Sequence, residues 1–399
     1  MKININKYLI SYLIILLFFS YFYLYIKHPI GNDSTISEWL INYEGGFTKR
    51  GLIGQLAIFQ SRIFDIELRW SIFLLQSLSC TIYFALLYFL LKNINTNKVI
   101  NLAIFTPIFI LYPIAEIEVL ARKEIIVFSL FIIYLLIPRE KNIKNFSLVI
   151  FLVLSILVWE PVIFFFPLIF LFEVIEKNIK KINLKFFKII LFFLPSIVIA
   201  FTFIFNPLST DQYNNMSLVL KNEFGEICYM SCGLLGSKST IYQQFEGNFG
   251  SYSFEVFLRY FLIIIIGFFP IIILLKNSFL DNKKLFFLKS FNNLVYPIFI
   301  TLSPVLLLFA MGYDWGRWVN ISYVFLALIY FSLYKKEIIK INTIKLERNY
   351  IYKLKKKIFI IFFIIFCFGW NQKTVITGDV ASFPLYRIPY KAVKILINN

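Results

Sequence analysis

Apolar runs as long as a bilayer is thick recur from one end of this 399-residue chain to the other. A helix needs about 20 residues to cross a hydrocarbon core of about 30 Å. Eleven runs reach or approach that length, at roughly 8–26, 70–91, 99–114, 125–138, 146–159, 161–172, 189–205, 256–275, 291–310, 319–334 and 358–370. No separate soluble domain is left over between them. Charged residues make up 16% of the chain, whereas a soluble domain carries about a quarter. The expected fold is therefore all-α: one integral membrane domain, residues 1–399, built as a polytopic helical bundle.

Where the basic residues fall decides what the formal charge of +18 means. They form short clusters between the apolar runs, as orienting charges do, and not the basic face that a nucleic-acid partner would need. With the N-terminus inside, 25 of the 40 Lys and Arg lie on the inner side and every inner loop carries at least two, while most Asp and Glu lie outside. This orientation puts the N-terminus in the cytoplasm and makes loops 27–69 and 206–255 and the C-terminal tail 371–399 periplasmic. Lys2 and Lys7 precede a first run too long for a signal-peptide core, and Lys27-His28-Pro29 after it is no cleavage site, so the run is expected to stay as a span. The stretch 146–172 is broken at Glu160-Pro161, which reads as a tight turn between two spans. A single kinked helix is the rival reading, and it would invert every later loop.

In this topology the unusual charges gather on the outer face in four places. The first loop holds Asp33, Glu38, Glu44, Gly45, Gly46, Lys49 and Arg50. Glycines let a backbone approach a ligand, and carboxylates beside Lys-Arg suit a phosphate together with a hydroxyl that needs a base. A Gly-rich turn with solvated charges is the plainer reading. Residues 51–67 follow, with Leu52, Leu56, Phe59, Ile63 and Ile66 at helical spacing, as in a helix lying in the membrane interface. The second place is Glu116, Glu118, Arg122, Lys123 and Glu124, where Glu118 and Arg122 have the spacing of an ordinary ion pair and Arg122 or Lys123 that of a phosphate grip. Glu160 stands alone in an uncharged stretch, and carboxylates at a membrane edge point to function by default. The fourth is Gly312-Tyr313-Asp314-Trp315-Gly316-Arg317-Trp318. Asp314 and Arg317 can simply pair, but Tyr313, Trp315 and Trp318 beside them also suit sugar stacking. Span centres are almost free of charge, which argues against a transporter.

Four cysteines, one histidine and the absence of an HExxH or CxxC pattern argue against dedicated metal chemistry. The spacing of Cys228 and Cys232 permits a disulfide if the segment bends, whereas Cys80 and Cys367 lie within spans as apolar filler. His28 reads as an interface marker.

One span, a long outer loop with early carboxylates Asp33, Glu38 and Glu44, an interfacial helix near 51–67 and then a bundle resemble the layout of GT-C glycosyltransferases. That resemblance covers about 1–172. It implies a polyprenyl-linked sugar donor and makes one of these three carboxylates the catalytic acid/base. In length, span number and its large outer loop the chain is also similar to the Wzy-type polymerases of O-antigen and capsule clusters. These join polyprenyl-pyrophosphate-linked repeat units at the periplasmic face, where Arg50, Arg122 and Arg317 would engage the pyrophosphate, and a chain-length regulator protein would be an accessory partner. The combined expectation is a glycosyltransferase of the bacterial inner membrane. Glu44 or Asp33 would be its base, with Glu160 or Asp314 next. Lys49, Arg50, Arg122, Lys123 and Arg317 would hold the lipid phosphate. The scheme requires no metal and is compatible with a divalent one. A single-sugar GT-C transferase and a lipid-linked oligosaccharide flippase are the alternatives.

Overall fold

The structure is a computed structural model, and it describes residues 5–30, 34–138, 143–236, 241–280 and 293–376, together with 393 and 397. Among these residues the regular structure is helical except for one antiparallel pair of short strands, β1 (Ser278–Leu280) and β2 (Ile339–Ile341). Six helices are long and apolar enough to cross a membrane. In chain order the main helices are α1 (Ile5–Lys27), α2 (Gly51–Phe64), α3 (Leu68–Leu91), α4 (Lys98–Phe105), α5 (Glu124–Leu136), α6 (Ile143–Val158), α7 (Phe166–Glu176), α8 (Leu184–Phe205) and α9 (Thr210–Phe224). They continue with α10 (Ile241–Phe249), α11 (Phe254–Asn277), α12 (Val295–Leu302), α13 (Leu306–Met311), α14 (Trp315–Lys335) and α15 (Lys356–Phe368).

α14 is the axis of the bundle: every residue from Trp315 to Leu333 is buried. The outer helices are apolar on both faces. Ile14 and Phe18 on α1, Leu78 on α3, Leu194 and Val198 on α8, Phe261 on α11 and Ile361 on α15 all point outward. A lateral surface this apolar has no place in water and belongs in a lipid phase.

Inside such a bundle every backbone break needs a polar partner. α4 continues to Ala115 through a wide turn opened by Pro107, where Phe109 leaves helical geometry. Asn320 of α14 donates to the carbonyls of Ile108 and Phe109 at 2.8 and 3.0 Å. Pro113 has no N–H to give the Phe109 carbonyl, and Pro107 has none for the Ala103 carbonyl, which accepts instead from the Tyr323 hydroxyl at 2.8 Å.

Two buried charge clusters mark the ends of α14. Arg317 belongs to one, described below. At the other, the carboxylate of Glu176 accepts from Lys144 at 2.6 Å and from Lys336 at 2.7 Å. Tyr134 donates to the neighbouring Glu173, which also pairs with Lys177. From Arg317 to Lys336 the helical rise is about 28 Å, close to the thickness of a hydrocarbon core. We call these the arginine end and the lysine end.

The Glu160-Pro161 break is a turn. Trp159 is extended, 160–165 form one 3₁₀ stretch, and α7 returns to the end where α6 begins, so that Glu176 meets Lys144. On one continuous helix those residues would stand about 48 Å apart. The segment 51–67, expected to form an interfacial helix, is helical over α2, Gly51–Phe64. It buries Ile53, Ala57 and Ile58, and leaves Leu56, Phe59, Ile63 and Phe64 exposed as one apolar stripe. Gly54 makes this seating possible, since a Cβ there would lie 1.9 Å from the carbonyl oxygen of Ile41. The run expected at 291–310 is interrupted at Ser303-Pro304 into α12 and α13, and the long loop 206–255 contains α9 and α10.

Removing one partner of a buried ion pair costs about 3–5 kcal/mol, because the other charge stays buried. Glu176→Ala is therefore expected to lower the melting temperature of the purified protein strongly. Lys144→Met combined with Glu176→Leu should recover much of the loss, measured by intrinsic fluorescence.

Candidate functional site

The arginine end is organised around Glu38. The segment Ser34–Ser37 is a single buried helical turn, and it delivers Glu38 into the bundle with no exposed surface. Three guanidinium groups meet this carboxylate. Arg50 donates from Nη1 to Oε1 at 3.3 Å, and Arg122 donates from Nε to Oε2 at 3.1 Å. Nη2 of Arg317 lies 3.5 Å from Oε1. Each arginine also holds a second carboxylate. Arg50 donates to Glu160 through two bonds, Nε to Oε2 at 2.7 Å and Nη2 to Oε1 at 2.8 Å. Arg317 grips Glu124 in the same two-pronged way. Arg122 and Arg317 share Oδ2 of Asp314, at 3.3 and 3.2 Å.

Burial alone would raise the pKa of Glu38. The charges of Arg122, Arg317, Arg50 and Lys123 overcome it and hold the carboxyl far below the usual carboxylate range. Glu160 is likewise lowered, with burial opposed mainly by Arg50 and then Lys49. Lys123 is different: burial pushes its ammonium down to about 7 against the pull of Glu38. Its Nζ donates to the carbonyl oxygen of Arg50.

The local backbone is set to make this meeting possible. Arg50 caps α2 in the left-handed region at φ 62°, and Ala121, just before Arg122, is left-handed at φ 53°. Such conformations cost about 1–3 kcal/mol each in ordinary residues and persist only when neighbours enforce them. The Lys123 bond to Arg50 enforces the first. The indole of Trp39, donating to the carbonyl of Ala121 at 2.9 Å, enforces the second.

Six residues singled out from sequence are thus in one contact network: Glu38, Arg50, Arg122, Glu160, Asp314 and Arg317. Lys123 joins it through the Arg50 backbone. Glu44 does not join. It accepts from Gln55 and Arg62, both at 2.8 Å, and Arg62 also pairs with Glu223 of α9. Asp33 lies outside the described residues. Gly45 and Gly46 serve packing. A Cβ on Gly45 would lie 1.9 Å from the carbonyl oxygen of Gln212, and the side chain of Gln212 covers Gly46. Glu118 is exposed and Arg122 turns to Glu38 and Asp314, so the expected Glu118–Arg122 pair is replaced.

The aromatic residues divide in the same way. The Trp315 indole donates to the Phe309 carbonyl at 2.6 Å and packs among Tyr252, Phe257 and Tyr260. Tyr313 bonds to Gly247. Both hold the turn before α14. Trp318 lies on Arg317, 5.2 Å from its guanidinium, and faces Trp159. The indole N–H groups of Trp159 and Trp318 are buried and have no hydrogen-bond partner among the described residues.

Sequence reasoning undervalued Glu124, which was noted only as one charge in a cluster, and missed a wedge at the start of the tail. Asn371, Gln372 and Thr374 are buried, Lys373 pairs with Glu116 at 3.3 Å, and Gly316 donates to Thr374. A Cβ on Gly316 would lie 1.9 Å from the Lys373 carbonyl oxygen. The run of polar residues directly after an apolar span was the available signal. Cys228 and Cys232 form a disulfide, and Ser231 beside it donates from its backbone to Ser37. His28 packs on Trp70 at the end of α1. Among the described residues no group of three or more His, Cys, Asp and Glu side chains is placed to hold a metal ion.

Comparisons with protein-family models, curated proteins and solved structures yield no match for this chain.

The lowered carboxylates give the cluster a defined acid response. Glu38 and Glu160 titrate below their ordinary 4.5 in the folded protein, so their stabilisation is present above 4.5 and is lost as pH falls through the folded values. Melting temperature is expected to fall steeply below about pH 4.5. Glu38→Gln should flatten that slope and lower the melting temperature at neutral pH.

Proposed function

We propose that this protein is a membrane glycosyltransferase of surface-polysaccharide assembly that joins polyprenyl-pyrophosphate-linked repeat units at the outer face of the bacterial inner membrane. One observation carries the reading: three arginines converge on a buried carboxylate at one end of an apolar bundle, beside a helix with an exposed apolar stripe. A polyprenyl pyrophosphate needs both parts, a lipid-facing surface for its chain and a fixed guanidinium for its phosphates.

We read the chain as eleven crossings between the arginine and lysine ends, in a GT-C-like layout. The lysine end is cytoplasmic by the positive-inside rule, which places the charge cluster outside. Arg50 would take the departing phosphate as negative charge develops on it. Glu38 would be a positioning residue: it holds three guanidinium groups whose mutual repulsion would otherwise spread them. A carboxylate at the rim of the cluster would accept the proton of the acceptor hydroxyl. A chain-length regulator remains a candidate partner.

The test is replacement of the chromosomal gene by Arg50→Ala or Arg122→Ala, with protein levels checked by immunoblot. Arg50→Ala removes one transition-state donor, which costs about 100-fold in rate, and Arg122→Ala removes a guanidinium that fixes Glu38, the carboxylate that positions Arg50. The expected glycan profile therefore collapses to single repeat units. Repeat units one sugar short would indicate the single-sugar transferase, and loss of all capped glycan would indicate a flippase. Full-length polymer in both variants would refute the site.

A further inference from the structure

We infer that the Arg50–Glu160 pair is exchanged when substrate binds: the donor phosphate replaces Glu160 on the Arg50 guanidinium, and the freed Glu160 becomes the base for the acceptor hydroxyl. The inference rests on the glycosyl-transfer reading and adds to it the identity and the timing of the base.

Accessibility singles out this pair. The side chains of Arg50 and Glu160 are 21% and 20% exposed. Arg122 and Arg317 are only 6% and 2% exposed, and Glu38 is not exposed at all. Asp314 reaches the rim at 28%, but its two partners are those buried arginines, which an incoming phosphate does not reach. Within this cluster, among the described residues, the Arg50–Glu160 contact alone offers solvent both a cation and the carboxylate that now occupies it.

The geometry suits exchange. Glu160 sits on the Nε and Nη2 edge of Arg50, the edge whose two parallel donors also match two phosphate oxygens. Glu38 binds the third nitrogen, Nη1, and the Lys123 bond to the Arg50 carbonyl fixes the backbone. Arg50 would therefore keep its place when its partner changes. Glu160 follows the extended Trp159 and precedes Pro161, so side-chain rotation suffices to free it. The indole of Trp159, the residue before Glu160, lies against that of Trp318, and both N–H groups are without a hydrogen-bond partner among the described residues.

The exchange links two chemical events. A carboxylate with both oxygens bonded to a guanidinium is a weak base. Released beside a phosphate of like charge, it binds a proton more readily. Glu160 then takes the proton of the acceptor hydroxyl, and the oxygen pair left behind forms the bond to the anomeric carbon of the donor. The anomeric carbon–oxygen bond breaks toward the pyrophosphate, which leaves with that electron pair on Arg50. Glu160 afterwards gives its proton to water. With no donor bound, the base stays masked and the acceptor is not activated.

Purified full-length protein in nanodiscs, titrated with geranylgeranyl diphosphate and separately with inorganic pyrophosphate, tests the exchange. Glu160→Gln removes the competing charge. It is expected to bind both probes about 10-fold more tightly than the unaltered protein, while the corresponding strain makes no polymer. Glu160→Asp keeps the charge at shorter reach. It should bind with an intermediate gain and retain part of the polymer, which keeps the inference testable if the glutamine variant is unstable. Equal or weaker binding in both variants would overturn the exchange. Tighter binding with full polymer would overturn the role of Glu160 as base. If the folded, unaltered protein binds neither probe and the Arg50→Ala strain makes full polymer, the glycosyl-transfer reading itself is refuted, and the inference with it.

Discussion

The burial of Glu38 is the constraint on which the arginine end depends. An unpaired carboxylate in the interior costs several kcal/mol, and so does an unpaired guanidinium. Glu38 and the groups around it settle these costs together. Among the described residues the cluster joins four carboxylates, Glu38, Glu124, Glu160 and Asp314, with four cations, Arg50, Arg122, Lys123 and Arg317. The three guanidinium groups are always charged, Lys123 titrates near neutral pH, and Glu38, Arg50, Arg122, Asp314 and Arg317 are each held by at least two partners. Left-handed backbone at Arg50 and Ala121 is the local cost of bringing the groups within reach.

The second cluster, at Glu176, fixes the other end of the same axis. Lipid tails are as apolar as leucine, so burial of apolar side chains gives membrane helices little reason to prefer one neighbour over another. Polar contacts have more say. Lys144 and Lys336 on Glu176 tie α6, α7 and the end of α14 together, and Asn320 ties the second turn of α14 to the broken helix at Pro107. With both ends fixed by charge, the position of Arg317 relative to Glu38 follows from the length of α14. Site and scaffold are then one arrangement of polar contacts inside an apolar shell.

Much of this was legible in the sequence, and the limits have physical reasons. The helical class follows from the apolar runs. The turn at Glu160 follows from a carboxylate before proline. The gathering of Arg50, Arg122, Glu160, Asp314 and Arg317 at one end follows from the lysine count. What sequence does not settle is which of several equal charges is the hub. Glu38 and Glu44 share one loop and one chemistry. Five residues between them decide that one enters the bundle while the other pairs with Arg62 on α2. Glycine is ambiguous in the same way: Gly45 and Gly46 suit a phosphate loop, yet here they admit Gln212. The wedge at 371–374 was hidden because its partners, Glu116 and Gly316, lie far away in the chain.

An electron cryomicroscopy map of the protein in a lipid nanodisc measures the central claim directly. The account predicts density for Glu38 with the guanidinium groups of Arg50, Arg122 and Arg317 around it, level with the headgroups of the leaflet that holds α2. Glu38 facing solvent with its arginines dispersed, or the cluster resolved at the bilayer midplane, would contradict it.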